Sequence, residues 1–546
     1  MQRDLPAFAT HVVDNQPPPF EPRDLWADDA VLRAAVAREG GDAFAARLAQ
    51  YGALAGDTLY RLGFDANRDR PRLRTHDRYG HRIDTVEFHP AYHQLLAAAK
   101  RHGVAGLSWH TPQPGAHVAR AALSYLHHQA EAGTSCPLTM THAAVAVLRQ
   151  EAALRDWADK AAAPHYDPRD VPIVDKAGIT LGMGMTEKQG GSDVRSNATV
   201  ATPLGRDGAY ALVGHKWFFS APMSDGFLVL AQAPGGLSCF LLPRRLPDGQ
   251  LNALRLMRLK DKLGDWSNAS GEVEFAGAWA QRIGEEGRGM ARIIGMVMLT
   301  RLDCMLAAAA QMRMALAQAL HHARHRLVFG KRLVEQPLMR NVLADLAIES
   351  EAATAFALRV ARAMDAAERD PVQAAFARIA TALGKYWLCK RAPAFVNEAQ
   401  ECLGGAGYVE ESILPRLYRQ APLNSIWEGS GNIQCLDVLR ALAREPGSAA
   451  ALLGELETAA GASADYDAAL DALRVPLAGD GGLDEYAARR LAERLALALQ
   501  AALLLRSASP AAAAFVRSRL AGAHGLAFGT LEADVPVEEL LARALP

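Results

Sequence analysis

From Met290 to His325 the chain carries almost no helix breaker, and Ala344 to Ala366 is a second long run of helical periodicity. Two such runs commit this part of the chain to a bundle of long helices. Between about residues 178 and 280 the texture changes. Gly-rich turns there separate short apolar runs such as Tyr210-Ala211-Leu212-Val213, Phe227-Leu228-Val229-Leu230 and Cys239-Phe240-Leu241-Leu242, which are strand-like in length and turn spacing. Upstream, residues 27 to 160 are Ala/Leu-rich and read as helical, after an extended arm that ends in Pro17-Pro18-Pro19. Glu445-Pro446-Gly447-Ser448 reads as a linker to a last helical segment. The expected fold class is mainly α with a small β-domain, in four parts. These are an arm and helical domain at 1–177, a β-domain at 178–284, a helical bundle at 285–445 and a C-terminal helical module at 446–546.

A chain of 546 residues is too long for one core. Half of the residues are apolar, which is ordinary for a soluble protein, and the net charge of −1 gives no general pull toward polyanions or acidic membranes. Any nucleic-acid contact therefore has to come from a local patch. The six cysteines include no Cys-x-x-Cys pair, which argues against a metal site or a disulfide framework and for reduced thiols in a cytosol. The first residues lack the basic and apolar regions of a secretory leader, and no run reads as a membrane span. A cytoplasmic protein without membrane or metal is expected.

Two segments carry the chemistry. In Asn424-Ser425-Ile426-Trp427-Glu428-Gly429-Ser430-Gly431-Asn432-Ile433 a single carboxylate sits between bulky apolar residues and a Gly-x-Gly bend. An apolar wall disfavours the charged carboxylate and fits it for proton abstraction near neutral pH. Far upstream, Gly184-Met185-Thr186-Glu187-Lys188-Gln189-Gly190-Gly191-Ser192-Asp193-Val194 offers successive backbone N–H groups that can cradle a pyrophosphate.

Together these segments resemble the acyl-CoA dehydrogenase family, with its T-E-x-x-x-G-S-D flavin loop and its E-G-(T/S) segment holding a catalytic Glu. Gly214-His215-Lys216-Trp217-Phe218-Phe219-Ser220 is similar to the family's G-x-K-x-W-I-T strand, and Arg326-Leu327-Val328-Phe329-Gly330 to its R-x-x-F-G. Leu343-Ala344-Asp345 and Leu403-Gly404-Gly405-Ala406-Gly407-Tyr408 match two further motifs in order. The resemblance spans roughly residues 90–445 and implies the family's fold with a C-terminal addition.

It also implies FAD as cofactor, an acyl-CoA thioester as substrate and a homotetramer. Glu428 takes the place of the family's base, with Arg301 near it. Met185, Thr186, Gly191 and Ser192 fall on the flavin loop, and Ser220 on a residue that hydrogen-bonds the ring. Trp217, Phe218 and Phe219 would cover the ring. Ser430 and Asn432 match further cofactor contacts. Arg326 matches an Arg that in the family reaches a partner subunit's FAD phosphates, and Phe329, Gly404 and Gly405 fall on further cofactor motifs. Some positions depart from the pattern: Pro337 follows Gln336 where the family has Gln, Glu401 replaces another Gln, and Lys188-Gln189 fill the flavin loop differently.

The Lys188-Gln189 filling, with the segments 185–193, 214–220, 258–270 and 424–433, resembles a branch of the family associated with alkylation-damage defence. That likeness implies duplex-DNA binding and at most slow dehydrogenation of short or branched acyl-CoA. A fully active catabolic dehydrogenase, or an oxidase, is the alternative. Residues 448–546 contain no Lys and more Asp and Glu than Arg, so DNA contact would fall on clusters: Arg489, Arg490 and Arg494, then Arg517 and Arg519, with Arg440 and Arg444 on the preceding helix. No helix-turn-helix or zinc pattern occurs, so the expected contacts are to the phosphate backbone.

Overall fold

In the computed structural model, residues 9–205, 207–478 and 484–545 are described. The long breaker-free run forms one helix, Gly289–His325, about 55 Å long at 1.5 Å per residue. It packs against helices Ala116–Ala130, Ser135–Leu148, Pro337–Ala366 and Pro371–Glu401, and nearly every residue from Leu299 to Ala323 is buried. By length and composition this helix could cross a bilayer, which corrects the expectation that no run reaches that length. Its neighbours account for the apolarity: from Leu299 to Ala323 it is enclosed on all sides and has no face to present to water.

Several charged groups buried inside the bundle are paired. Arg120 donates to both carboxylate oxygens of Asp303, with both side chains buried. Arg313 pairs with Asp29 at 3.1 Å and also donates to the Ala544 carbonyl at 2.7 Å. One guanidinium thus ties the N-terminal helical region, the central helix and the last helix, Val537–Ala544, together.

The helical domain contains a β-hairpin that its composition hid, β1 (Arg72–His76) and β2 (Arg82–Glu87), closed by a turn in which Asp77 accepts from the N–H groups of Tyr79 and His81. The β-domain comprises β3 (Leu181–Gly184), β4 (Val200–Pro203), β5 (Ala209–Ser220), β6 (Gly226–Ala233), β7 (Gly236–Pro243), β8 (Leu254–Leu259) and β9 (Ser270–Ile283). β7 pairs with both β6 and β9, and so closes the sheet on itself. Register places Ser220 opposite Ser270 at the end facing the bundle.

The stretch read as a linker is instead a tight junction. Helix Gly431–Arg444 ends at Glu445 and the next helix, Pro446–Glu457, starts at once with proline at its first position, where its missing N–H costs nothing. The C-terminal helices, including Ala488–Arg506, pack on Pro337–Ala366 and Pro371–Glu401 and share their apolar core.

Candidate active site

A cavity of about 760 Å³ lies between the β-domain and the bundle. Its wall brings together Met185, Thr186, Gly191, Ser192, Phe218 and Ser220 from one side with Thr300, Arg301, Glu428 and Ser430 from the other. Segments more than 200 residues apart in the chain thus meet at one space.

Glu428 has a φ of +57°, uncommon for a residue with a side chain. Several donors hold this backbone in place. Lys385 Nζ donates to the carbonyls of Trp427 (2.7 Å) and Gly429 (2.6 Å), Arg301 Nε to that of Glu428 (3.2 Å), and Gln434 Nε2 to those of Glu428 and Gly429 (both 3.0 Å). Gly429, at φ +91°, has no room for a Cβ, which would stand 2.7 Å from Gln434 Nε2. Strain of this kind persists only where the surroundings over-determine it.

The Glu428 carboxylate accepts a 2.6 Å hydrogen bond from the Thr300 hydroxyl. Removal from bulk water raises its pKa; Thr300, Arg301 and Lys385 act in the opposite direction without cancelling the rise. Thr300→Val therefore leaves the raising effect less opposed, and the acidic limb of any Glu428-dependent pH–rate profile is expected to move to higher pH. An unmoved limb would show that this hydroxyl does not tune the base.

Arg301 works through position. Its Nη1 donates to Asp437 at 2.6 Å while Nε holds the Glu428 carbonyl, so it fixes the catalytic segment to helix Gly431–Arg444. Asp303, the partner that proximity offered, is taken by Arg120. Thr300 and Lys385 escaped the sequence reading. Thr300 is the neighbour of Arg301 in the chain, but nothing local showed which way its hydroxyl points.

The aromatic triplet does not act as one unit. Phe219 is fully buried in the β-domain core against Phe227 and Phe275, which corrects its placement over a cofactor ring. Side chains alternate across a strand, and a register shift between Lys216 and Phe219 turns Phe218 and Ser220 to the cavity. Trp217 does not line the cavity and instead carries Lys260 Nζ over its ring at 3.4 Å.

Arg326, Phe329, Gly404, Gly405 and Asn432 also lie outside the cavity wall. Arg326 donates to the Asn15 carbonyl at 2.7 Å, and Phe329 is 95% exposed. Asn432 accepts from Arg489 Nε at 2.8 Å.

Two of the arginines proposed for DNA are otherwise engaged. Arg519 is buried in an ion-pair network with Asp345 and Glu349, which corrects its assignment to a phosphate-binding face, and Arg517 stands in a surface ion pair with Asp534. Arg490 and Arg494 are exposed and make no ion pair among the described residues. Arg440 sits at the cavity edge, 3.6 Å from Asp437.

A strained, desolvated glutamate facing a Gly-Ser loop across a cavity between bundle and β-domain is the arrangement that the resemblance to acyl-CoA dehydrogenases implies. Comparison with known proteins agrees: the acyl-CoA dehydrogenase middle-domain and C-terminal-domain families match residues 182–278 and 287–443. The chain belongs to the acyl-CoA dehydrogenase family. Residues 15–168 match the N-terminal domain of the adaptive response protein AidB. The chain is 51% identical to the putative acyl-CoA dehydrogenase AidB of Escherichia coli strain K12, over 81% of its own length and 82% of that protein's. It is 33% identical to acyl-CoA dehydrogenase family member 11 of Caenorhabditis elegans, over 72% and 66% of the two chains. The crystal structure of C. elegans ACDH-11 in complex with C11-CoA superposes with a TM-score of 0.85, covering 99% of this chain and 93% of that one at 27% identity.

Proposed function

We propose that this protein is an FAD-dependent, AidB-like dehydrogenase of acyl-CoA thioesters. The observation that carries the reading is Glu428, desolvated, held at a constrained backbone and facing the same cavity as the Gly191-Ser192 loop. The residues present fit a flavin. A Cβ on Gly191 would come within 2.5 Å of Thr186 Oγ1, so only glycine leaves this loop free to approach a ligand. Ser430 opens helix Gly431–Arg444, whose first N–H groups suit an anion.

Met185, Thr186, Gly191, Ser192, Phe218 and Ser220 would hold the cofactor. When bound, FAD supplies the hydride acceptor that no side chain can provide. Glu428 takes the α-proton of the thioester onto its carboxylate, and Thr300 and the backbone clamp keep that carboxylate aimed. Incubation with a short or branched acyl-CoA and an artificial electron acceptor is expected to yield a product two hydrogens lighter. Recovery of unchanged thioester across such a panel would contradict the reading.

The likeness to AidB supports a second role, duplex-DNA binding in the response to alkylation damage. Arg489, Arg490 and Arg494 at the start of helix Ala488–Arg506, and Arg440 and Arg444 on the adjoining helix, are exposed cations, with the exposed Glu493 among them. Replacing Arg490 and Arg494 with Ala together is expected to weaken binding equally for all sequences and to flatten the log K–log salt slope by up to about 2. Unchanged binding would remove these arginines from the account. A homotetrameric, cytoplasmic form completes the proposal. The exposed Leu327, Phe329 and Tyr408 beside the Arg326 and Gly404-Gly405 motifs favour subunit contact there, and six free cysteines suit a reducing compartment.

A further inference from the structure

The central helix Gly289–His325 runs along the cavity and gives its wall an order. Ile294, 44% exposed, stands at the rim with the exposed Phe218 and Ile426. Thr300, which holds the Glu428 carboxylate, comes next, and Asp303, Cys304 and Ala307 follow and are buried. The cavity thus opens to solvent on one side of Glu428 and ends blind on the other. The helix rises about 4.5 Å from Thr300 to Asp303 and about 10 Å from Thr300 to Ala307. This geometry sets the direction of a CoA thioester. Its nucleotide, a bulky polyanion, stays at the rim, its α-carbon meets Glu428, and the rest of the acyl chain lies in the blind end.

His128, near the end of helix Ala116–Ala130, is 5% exposed and stands in the wall of that end with Ser135, Thr139 and Asp303. The other three are already engaged. The Thr139 hydroxyl donates to Asp303, whose charge is met by Arg120, and the Ser135 hydroxyl donates to the Glu131 carbonyl at 3.3 Å. His128 is engaged at one nitrogen only. Its Nδ1–H donates to the Ser124 carbonyl at 2.8 Å, one turn back along its own helix, which fixes the tautomer and leaves Nε2 as an acceptor. Nε2 has no hydrogen-bond partner among the described residues. With Nδ1 turned back onto the helix, the opposite edge of the ring, with Nε2, is the part of His128 that reaches the cavity. Burial holds the imidazole below its ordinary pKa, against the pull of the Ser124 carbonyl and Asp303, so the acceptor persists at neutral pH.

An unbroken hydrocarbon chain leaves this acceptor unmet, which is destabilising in a site closed to water. We propose that His128 Nε2 sets the acyl specificity of the blind end, selecting thioesters whose chain carries a hydroxyl or an amide N–H beyond the β-carbon. A carboxylate in the same place brings acceptor against acceptor and is disfavoured. The proposal rests on the acyl-CoA reading above and narrows its substrate class.

The test uses the FAD-loaded Glu428→Gln protein, so that the change in flavin absorbance reports binding without turnover. The probes are 5-hydroxypentanoyl-CoA, 6-hydroxyhexanoyl-CoA and 8-hydroxyoctanoyl-CoA, each against its alkyl counterpart. At least one hydroxyacyl thioester is expected to bind about fivefold tighter than its match, the discrimination that one buried neutral hydrogen bond gives. Two further substitutions separate the acceptor from the helix contact. Asn places its amide nitrogen where Nδ1 stands and has nothing at Nε2, whereas the amide oxygen of Gln reaches the Nε2 position. His128→Asn is therefore expected to erase the preference and His128→Gln to keep it, both with the flavin retained. Equal affinities in the parent, a preference that survives His128→Asn, or its loss in both variants would overturn the proposal while leaving the acyl-CoA site standing. Absence of any flavin response to all six thioesters would overturn both readings.

Discussion

Glu428→Gln is expected to leave the yellow flavoprotein folded and loaded while reducing α-proton exchange of a bound acyl-CoA by about 10²- to 10⁴-fold, the range a positioned general base supplies. The substitution is close to isosteric. Gln can still receive the Thr300 hydrogen bond on its amide oxygen, and the backbone clamp from Lys385, Arg301 and Gln434 acts on carbonyls that the change does not touch. Only the proton acceptor is lost. In the parent protein, exchange should rise with pH as Glu428 ionises, with a midpoint above the usual glutamate range because its charged form is desolvated. In the variant that dependence should vanish. Deuterium wash-in followed by mass spectrometry measures both, and exchange at the parent rate would remove Glu428 from the role of base.

Arg519→Met is expected to destabilise the fold by about 3–5 kcal/mol, the cost of leaving a buried partner charge uncompensated. Arg519 pairs with Asp345 and Glu349 inside the bundle, and Asp345 also accepts from His524 (2.8 Å) and the Gly529 N–H (2.9 Å). This cluster fixes the C-terminal extension to helix Pro337–Ala366.

The pH dependence follows with a definite sign. Burial alone would raise the Glu349 carboxyl, but Arg391 and Arg519 outweigh it and hold it at about 2, against 4.5 for an ordinary glutamate. Its folded pKa is depressed, so its stabilising contribution is complete above 4.5 and is lost as pH falls toward 2. The stability gap between parent and variant should therefore narrow through that window. Urea unfolding at pH 7 and pH 3.5 measures it. A variant as stable as the parent at pH 7, but weaker on DNA, would return Arg519 to the DNA-binding face.

These two sites also mark where reading the chain succeeded and where it failed. The family, the bundle with its small β-domain and the position of Glu428 in the wall were legible because each rests on contiguous signals: a breaker-free helical run, Gly-punctuated strands and a Trp-Glu-Gly-Ser segment. Arg519 was misread because its partners lie about 170 residues away, and a lone Arg on a helix carries no mark of its eventual partner. Phe219 was misread for a subtler reason. Alternation decides which face of β5 a side chain occupies, and the register shift that sets the alternation depends on pairing with β9. The hairpin β1–β2 was hidden by the helical composition on either side of it. Thr300 and Lys385 act through geometry that only the assembled cavity creates, although the first is the immediate neighbour of Arg301.

The most direct test of the central claim is anaerobic mixing of the purified flavoprotein with a panel of short, branched and hydroxylated acyl-CoA thioesters, with flavin absorbance followed in time. At least one thioester is expected to bleach the oxidised flavin band in the parent protein, and none in Glu428→Gln. Retention of the oxidised spectrum in the parent with every thioester would contradict the assignment of this cavity to acyl-CoA dehydrogenation.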